Sequence, residues 1–304
     1  MRTNKLFKLL KAIIPIVMAM VSLTAFSGCS SDEDVPVVPK PKAPTWNKND
    51  LKAIFAIYKK CGPWLNEWDF NDSSTWLGIS YALDLDSNQY RVVEFDVPEG
   101  DFKGDFPGEF TDLTELRVLR IGGSMTGQIP DSISKLKNLE KLYIWGTNMN
   151  TKIPESIGEL TNLKALSIKG NPGVHGPLPN SIGNLTNLEY INVMENNLSG
   201  ELPKSMKNLK KLYYCVLVRN HFSGTFPIEI AQNSPVAYMC SENDIENLPF
   251  EIWSDSIKCA MPDLQYNKLH GTLPGWVFKT EEWKNFHGFV SNQKEGYGYS
   301  NYVE

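Results

Sequence analysis

The amino-acid sequence predicts an α/β repeat solenoid, in which short units stack because no single unit can bury its own apolar face. Three observations predict this fold class. An apolar residue followed by proline recurs eight times at intervals of 22 to 25 residues, each interval contains a stretch of alternating apolar and polar residues, and an asparagine follows most of these stretches. The eight dipeptides are Phe106-Pro107, Ile129-Pro130, Ile153-Pro154, Leu178-Pro179, Leu202-Pro203, Phe226-Pro227, Leu248-Pro249 and Leu273-Pro274.

Each unit combines a short strand with a turn. In one unit Ile191 and Val193 alternate with polar or exposed positions, which predicts a strand with one buried face. Asn196 follows, and stacked copies of this asparagine can hydrogen-bond the backbone of the adjacent turn. Pro203 fixes φ and begins a half-turn on the opposite side of the unit.

The repeat resembles the plant-type leucine-rich repeat, whose pattern is LxxLxLxxNxLxGxIPxxIGxL. The stretch LTNLKALSIKGNPGVHGPLPNSIGNLTNLEYINVMENNLSGELP, residues 160–203, matches it almost position for position. About eight such repeats cover residues 92–280. The resemblance implies a right-handed superhelix with a parallel β-sheet on its concave side and 3₁₀ or irregular turns on its convex side. Local changes of curvature are expected where Ser124 and Thr147 replace the asparagine, where residues 171–174 carry an extra residue, and where the unit at 243–249 is one residue short.

The first 28 residues predict a bacterial signal peptide. Four basic residues precede the apolar run 12–26, and Ser27-Gly28-Cys29 resembles a lipobox. A transmembrane helix is the alternative, but the run is short and Pro15 interrupts it. Cleavage before Cys29 would leave a lipid-anchored protein, which several acyl chains hold stably at a membrane.

Residues 29–44 predict a tether. The acidic block Ser30–Asp34 resembles the surface-export signal of Bacteroidetes lipoproteins, and a solvated tail is the less favoured alternative. The following VPVVPKPKAP is Pro-rich and therefore extended and semi-rigid. These features predict an exported lipoprotein on the outer face of the outer membrane.

Terminal caps must cover the apolar core at both ends. Residues 45–91 predict a Trp-rich cap with one helix, which Asn49 or Asp50 begins and Gly62-Pro63 ends. The pattern is similar to the cap of plant-type repeat proteins, but Ser74 and Tyr81 replace its two cysteines, so aromatic packing must hold it. Residues 281–304 are expected to form the second cap, with a modest share of them exposed as a binding patch.

Composition and motifs argue against several function classes. The formal net charge is −5, and removal of the leader would make it −9, which disfavours nucleic-acid binding. Four histidines on different repeats give no metal-ligand spacing, and no cofactor motif occurs. Cys215, Cys240 and Cys259 fall on inward positions. We found no catalytic motif, and the Glu94/Asp96 pair fits a solvated strand face better than a glycosidase, so the sequence predicts a protein that is not an enzyme.

The outward strand positions predict a ligand-binding concave face. Exposed Trp, Tyr, Met and Arg are typical of recognition surfaces, and here they favour Tyr143, Trp145, Tyr190 and Tyr214 as anchors. The full predicted set is Arg120, Lys141, Tyr143, Trp145, Lys169, Tyr190, Asn192, Met194, Tyr214, Arg219 and Tyr266. The alternative is that these aromatic residues only pack against one another.

These residues favour a non-catalytic cell-surface lipoprotein that binds a protein or peptide ligand. A glycan-binding lipoprotein and a structural envelope spacer are the alternatives. A glycan site should gather aromatic and carboxylate groups within one or two repeats, whereas the aromatic residues here spread over at least four.

Overall fold

The structure is a computed structural model, and it describes residues 42–62, 67–97, 102–231, 236–250, 262–279 and 290–300. Residues 43–304 form one compact unit. The leader, Cys29 and the acidic block, and most of the Pro-rich tether, lie outside the described residues, as do Cys259 and Trp64. No helix among the described residues is long and apolar enough to cross a membrane.

Short strands and turns alternate along the described chain. The longer helix, α1, spans Lys48–Cys61, and α2 spans Ile228–Ala231. The strands are β1 (Thr45–Trp46), β2 (Ile79–Asp84), β3 (Gln89–Asp96), β4 (Gly104–Asp105), β5 (Val118–Gly122), β6 (Met125–Thr126), β7 (Lys141–Trp145), β8 (Ala165–Lys169), β9 (Asn171–Gly176), β10 (Tyr190–Asn192), β11 (Asn196–Gly200), β12 (Tyr214–Val216), β13 (His221–Thr225), β14 (Ala237–Met239), β15 (Asp244–Asn247), β16 (His270–Gly271) and β17 (Gly298–Tyr299).

One parallel sheet runs through the stack, as predicted. Strands β3, β5, β7, β8, β10, β12 and β14 pair in that order, each one repeat from the next, and β2 adds an antiparallel strand at the first end. A second parallel sheet contains β9, β11, β13 and β15, each of which comes directly after a strand of the main sheet in the chain. The α/β repeat solenoid is therefore confirmed.

The prolines of the repeat start the turns on the convex side. Pro130, Pro154, Pro179 and Pro203 each precede a five-residue 3₁₀ helix and have φ between −79° and −65°. The apolar residue before each of them is buried in a continuous core that the strands and turns share. The proline thus turns the chain immediately after its neighbour has entered the core.

The repeat asparagines form a buried ladder between units. The side chain of Asn196 accepts from the backbone N–H of Asn171 and donates to the carbonyls of Ile168 and Val193. Asn220, Asn243 and Asn267 make the same type of contacts. Thr147, which replaces the asparagine in its repeat, donates a hydrogen bond from its hydroxyl to Oδ1 of Asn171 and so continues the ladder. Ser124, the other replacement, is exposed.

The irregular units leave the sheets continuous, as expected. The register between β9 and β11 shifts between Asn171 and His175, in the unit predicted to be longer, and a second shift lies between β13 and β15 at the short unit. Bulges of this kind bend a strand locally without ending its pairing.

The N-terminal cap contains the predicted helix and a hairpin. Trp68 and Trp76 are buried, and the rings of Trp46 and Trp76 lie 5.1 Å apart, which confirms aromatic packing in place of the missing disulfide. The predicted start of the helix is wrong by two or three residues, because Asn47 caps α1 by accepting from the N–H groups of residues 49 and 50.

Asp50 has a different role from the predicted capping one. Its carboxylate is fully buried and accepts from the guanidinium of Arg91 at 3.0 and 3.2 Å and from the N–H of Val92 at 2.8 Å. The cap helix is thus joined to β3 by a buried ion pair as well as by aromatic rings.

At the other end, the described residues 290–300 continue the repeat. Gln293 takes the place of the ladder asparagine, since it accepts from the N–H of Leu269 and donates to the carbonyls of Leu264 and Val290. Strand β17 pairs in parallel with β16. Repeat geometry therefore extends beyond residue 280, into the segment expected to form the C-terminal cap.

Candidate ligand-binding face

The register of the main sheet arranges the outward side chains in columns across the repeats. The first column contains Glu94, Val118, Lys141, Ala165, Tyr190, Tyr214 and Ala237. The second contains Asp96, Arg120, Tyr143, Ser167, Asn192, Val216 and Met239. In a third, Gly122, Trp145 and Lys169 lie side by side. Predicted site residues from different repeats thus become neighbours about 4.8 Å apart.

One cluster, which we call the arginine cluster, consists of Asp96, Arg120, Tyr143 and Trp145. The guanidinium of Arg120 donates to Asp96 and lies 4.8 Å from the centre of the Tyr143 ring. The indole of Trp145 lies next to Gly122 of β5. A Cβ atom added at Gly122 would lie only 3.0 Å from the indole Nε1. The glycine makes room for the indole, and the cation–π contact fixes the direction of Arg120.

Asp96 is the electrostatically unusual member of the arginine cluster. Burial, and secondarily the neighbouring carboxylate of Glu94, raise its pKa, although Arg120 opposes the rise. Its Oδ1 atom is buried without a hydrogen-bond partner among the described residues. Asp96 and Glu94 lie one pleat apart on β3, and Arg120 donates a hydrogen bond to Asp96.

A second cluster, the tyrosine cluster, consists of Tyr190, Tyr214, Asn192 and Met239. The two tyrosine rings stack with centroids 5.6 Å apart and an interplanar angle of 7°. The hydroxyl of Tyr214 lies 3.4 Å from the sulfur of Met239, one strand farther along. Two of the four predicted anchors, Tyr190 and Tyr214, therefore do pack laterally, but both residues stay half-buried and not fully covered.

Asn192 does not have the exposed position that the sequence predicts. Only 6% of this residue is exposed, because its Nδ2 donates to the hydroxyl of Tyr190 and its Oδ1 accepts from the N–H of Met194. The amide holds Tyr190 in place instead of facing a ligand.

Strand β8 separates the two clusters with small side chains. Ala165 and Ser167 lie between the large residues of β7 and β10, and both are buried beneath these neighbours. Lys141 and Lys169 are exposed on either side of them. The lowest part of the face is thus bordered by aromatic residues and flanked by two positive charges.

Three predicted residues lie beyond the strands, at the edge of the face. Met194 is half-buried, while Arg219 and Tyr266 are exposed. Arg219 forms ion pairs with Glu195 at 2.8 Å and Glu242 at 3.0 Å. Met194, Arg219 and Tyr266 belong to neither of the two clusters.

The predicted set of site residues leaves out Asp96, Met239 and Glu242, although the repeat template places all three on the concave face. Asp96 lies in register with Arg120 and Met239 with Val216, while Glu242 forms an ion pair with Arg219. Which neighbour each would contact depends on side-chain direction, which the repeat pattern does not encode.

The flank of the solenoid carries one further charged cluster. Burial would raise the pKa of Asp244, but hydrogen bonds from Lys294, Lys268 and His221 lower it to about 2. The two lysine ammonium groups lie 2.8 and 2.9 Å from the same carboxylate oxygen. Because Lys294 is fifty residues away in sequence, this cluster ties the last described turn to the repeats before it.

The described residues contain no other evident chemistry. They include no group of three or more His, Cys, Asp or Glu residues able to hold a metal ion. Cys215 and Cys240 lie in the core, as predicted, and Cys61 is buried at the end of α1. Burial raises the pKa of Cys61 to about 11, so its thiol is unreactive at neutral pH.

A family profile described as "Leucine-rich repeat region" matches residues 101–283. The chain is 32% identical over 116 residues to the leucine-rich repeat protein FLOR 1 of Arabidopsis thaliana, over 36% of this chain and 34% of that protein. This chain thus spans about a third of the curated relative that it matches.

Solved structures give the same picture. The ectodomain of the Arabidopsis thaliana membrane receptor kinase GASSHO1/SCHENGEN3, in complex with CASPARIAN STRIP INTEGRITY FACTOR 2, is 30% identical with a TM-score of 0.55, over 62% of this chain and 23% of that one. A plant ice-binding protein is 22% identical with a TM-score of 0.59, over 78% and 84% of the two chains, and this likeness concerns the fold alone.

Proposed function

Because this chain belongs to the leucine-rich repeat family, we propose that it is a non-catalytic recognition protein that binds a protein or peptide through the concave face. One observation carries the proposal: two preformed aromatic clusters on β5–β7 and β10–β14 flank the small residues of β8. Scaffold needs alone do not call for Trp145, Tyr190 and Tyr214 on the outward side.

The spacing of the clusters favours an extended ligand. From β7 to β10 there are two strand steps, roughly 10 Å at the usual strand separation. A peptide segment that crosses the strands would contact Tyr143 and Trp145 on one side of β8 and Tyr190 on the other. Lys141 and Lys169 would pair with acidic groups of such a ligand.

The face is organised before any ligand arrives. Arg120 is held by Asp96 and Tyr143, and Tyr190 is held by Asn192 and Tyr214. Side chains that are already ordered lose little conformational entropy on binding, which favours affinity. The complex of the related receptor ectodomain supports the same ligand class for this chain.

Glycan binding is the second candidate, and the arginine cluster favours it. A carboxylate, a guanidinium and two aromatic rings lie there on three neighbouring strands, β3, β5 and β7, and these are groups that a sugar site uses. The separate tyrosine cluster favours the peptide ligand, because a small sugar would not span both.

The location of the protein is part of the proposal. Lipidation at Cys29, with the acidic and Pro-rich tether behind it, would place the face outside the outer membrane. Metabolic labelling with an alkyne fatty acid should label the wild-type chain and leave Cys29→Ala unlabelled. Equal labelling of both would exclude this anchor.

The binding proposal is tested by panning a phage-displayed random peptide library on the immobilised chain, with a glycan array in parallel. We expect selected peptides to lose at least about tenfold in affinity for the Trp145→Ala/Tyr190→Ala double variant. Tyr213→Ala is the matched control, since Tyr213 is an exposed tyrosine just before β12. Selected peptides that bind the double variant as tightly as the wild type would contradict the concave-face site, and glycan hits alone would favour the second candidate.

A further inference from the structure

The residue before each ladder position forms a column with left-handed backbone, which we call the left-handed column. Each of these residues has φ between 52° and 66°. Its seven members are Gly146, Gly170, Glu195, Arg219, Glu242, Tyr266 and Asn292. Backbone N–H groups of the column donate to carbonyls of the next repeat, for example from Glu195 to Val218 and from Arg219 to Ser241.

The members divide into residues that suit this conformation and residues that do not. Glycine adopts positive φ without steric penalty, and asparagine tolerates it. Glu195, Arg219, Glu242 and Tyr266 have long side chains and would be disfavoured there. Since glycine fills the same position in two neighbouring repeats, the backbone of the repeat does not require these four side chains.

Stability does not account for the charged side chains either. Glu195, Arg219 and Glu242 form a ladder of ion pairs, but all three side chains are 42 to 56% exposed. Exposed ion pairs contribute little to stability, and salt screens them. Backbone strain that no stabilising interaction offsets is typical of functional surfaces.

The ion pairs among Glu195, Arg219 and Glu242 leave some of their hydrogen-bonding groups available. Arg219 uses Nε and Nη1 on the two carboxylates, and among the described residues its Nη2 has no partner. One oxygen of Glu195, Oε2, is likewise unused. The two carboxylates and one guanidinium carry a net charge of −1, and Tyr266 follows with half of its surface exposed.

We infer that the left-handed column from Glu195 to Tyr266 is a second contact surface for an extended basic peptide segment. A backbone carbonyl of the peptide would accept from Nη2 of Arg219, a lysine or arginine would pair with Glu195, and another cation would lie on the ring of Tyr266. The inference rests on the proposed function, since it names the ligand chemistry at the edge of the same face.

The test uses two readouts on the full-length chain. The variant Glu195→Asn/Arg219→Asn/Glu242→Asn replaces the three ion-paired residues with asparagine, which the left-handed column already contains at Asn292. We expect its melting temperature to equal or exceed that of the wild type, because backbone strain is relieved. The control Val218→Gly, at a neighbouring position outside the column, should lower the melting temperature.

Binding is measured by fluorescence anisotropy with a labelled nine-residue peptide of alternating lysine and threonine, against the same peptide with glutamate for lysine. The lysine peptide should bind more tightly than the glutamate peptide, and the triple variant should lose at least tenfold in affinity for the lysine peptide. Equal binding by the triple variant, no binding of the lysine peptide, or a triple-variant melting temperature several degrees below the wild type would overturn the inference. The Trp145→Ala/Tyr190→Ala experiment remains independent of these outcomes, so either proposal can fail alone.

Discussion

At the scale of single residues, the asparagine ladder decides how the repeats can stack. Packing one unit on the next buries backbone groups that the short strands cannot all pair. The side chain of each ladder asparagine offers one acceptor and two donors, which matches the groups that it meets. This is why the structure tolerates Thr147 and Gln293 at the ladder position, both of which retain hydrogen-bonding groups.

Asn196→Ala should destabilise the protein by about 2 to 4 kcal/mol, because the N–H of Asn171 and the carbonyls of Ile168 and Val193 would lose buried partners. Urea unfolding monitored by circular dichroism gives the free energy of unfolding. The neighbouring Asn197→Ala is the control: Asn197 is exposed, and its replacement should change that free energy by less than about 0.5 kcal/mol. Equal effects of the two substitutions would show that the ladder contributes nothing specific.

At the scale of elements, the 3₁₀ turns on the convex side stack as closely as the strands do. Ser181 and Ser205 each donate a hydroxyl hydrogen bond to a carbonyl of the preceding turn, at 2.6 and 2.7 Å. Gly158 and Gly183 allow this approach, since a Cβ at either position would lie 2.4 Å from a backbone oxygen of the next turn. The glycine of the repeat pattern is therefore a packing requirement at these two turns.

Gly183→Ala should cost about 1 to 3 kcal/mol, because the added methyl group would push against the carbonyl of Ser205, which is backbone and cannot rotate away. The measurement is again the free energy of unfolding in urea. Gly108→Ala is the matched control in the first convex turn, where no atom lies within 4 Å of the new Cβ. We expect it to be neutral or slightly stabilising, and a loss as large as that of Gly183→Ala would refute the steric explanation.

At the scale of the whole molecule, the stack depends on its ends. An internal repeat is covered on both sides, whereas the first strand needs α1 and the hairpin β2–β3 to exclude water from the core. The buried pair between Asp50 and Arg91 joins the cap helix to this hairpin, and Arg91 also donates to Thr114 in the first repeat. Arg91 thus contacts both the cap helix and the first repeat.

Arg91→Met should destabilise the protein by about 3 to 5 kcal/mol, because it leaves the buried carboxylate of Asp50 without its cation. Thermal unfolding measures the loss, and hydrogen exchange should show it first in the amides of α1. Lys60→Met removes a more exposed ion pair with Glu109 from the same helix and should have little effect. If both variants melt at the same temperature, the buried pair does not hold the cap.

Local sequence patterns were sufficient to predict the solenoid, the period of its strands and turns, the ladder and the aromatic nature of the cap. Each of these follows from local patterns that recur, namely the alternation around Ile191 and Val193, the ladder Asn196 and the turn-forming Pro203. The pairing of Asp50 with Arg91 could not be predicted from these patterns, because two charges forty-one residues apart carry no periodic signal.

The tertiary structure alone decided how the candidate face is arranged. Alternation correctly placed Asn192 on the outward side, but only the direction of the Tyr190 side chain buries its amide. In the same way, the sequence gives Arg219 an exposed position, while the left-handed backbone and the two flanking carboxylates arise from the stacking of three repeats. Periodicity specifies which side of a strand a residue occupies, and the contacts that it makes there depend on the neighbouring repeats.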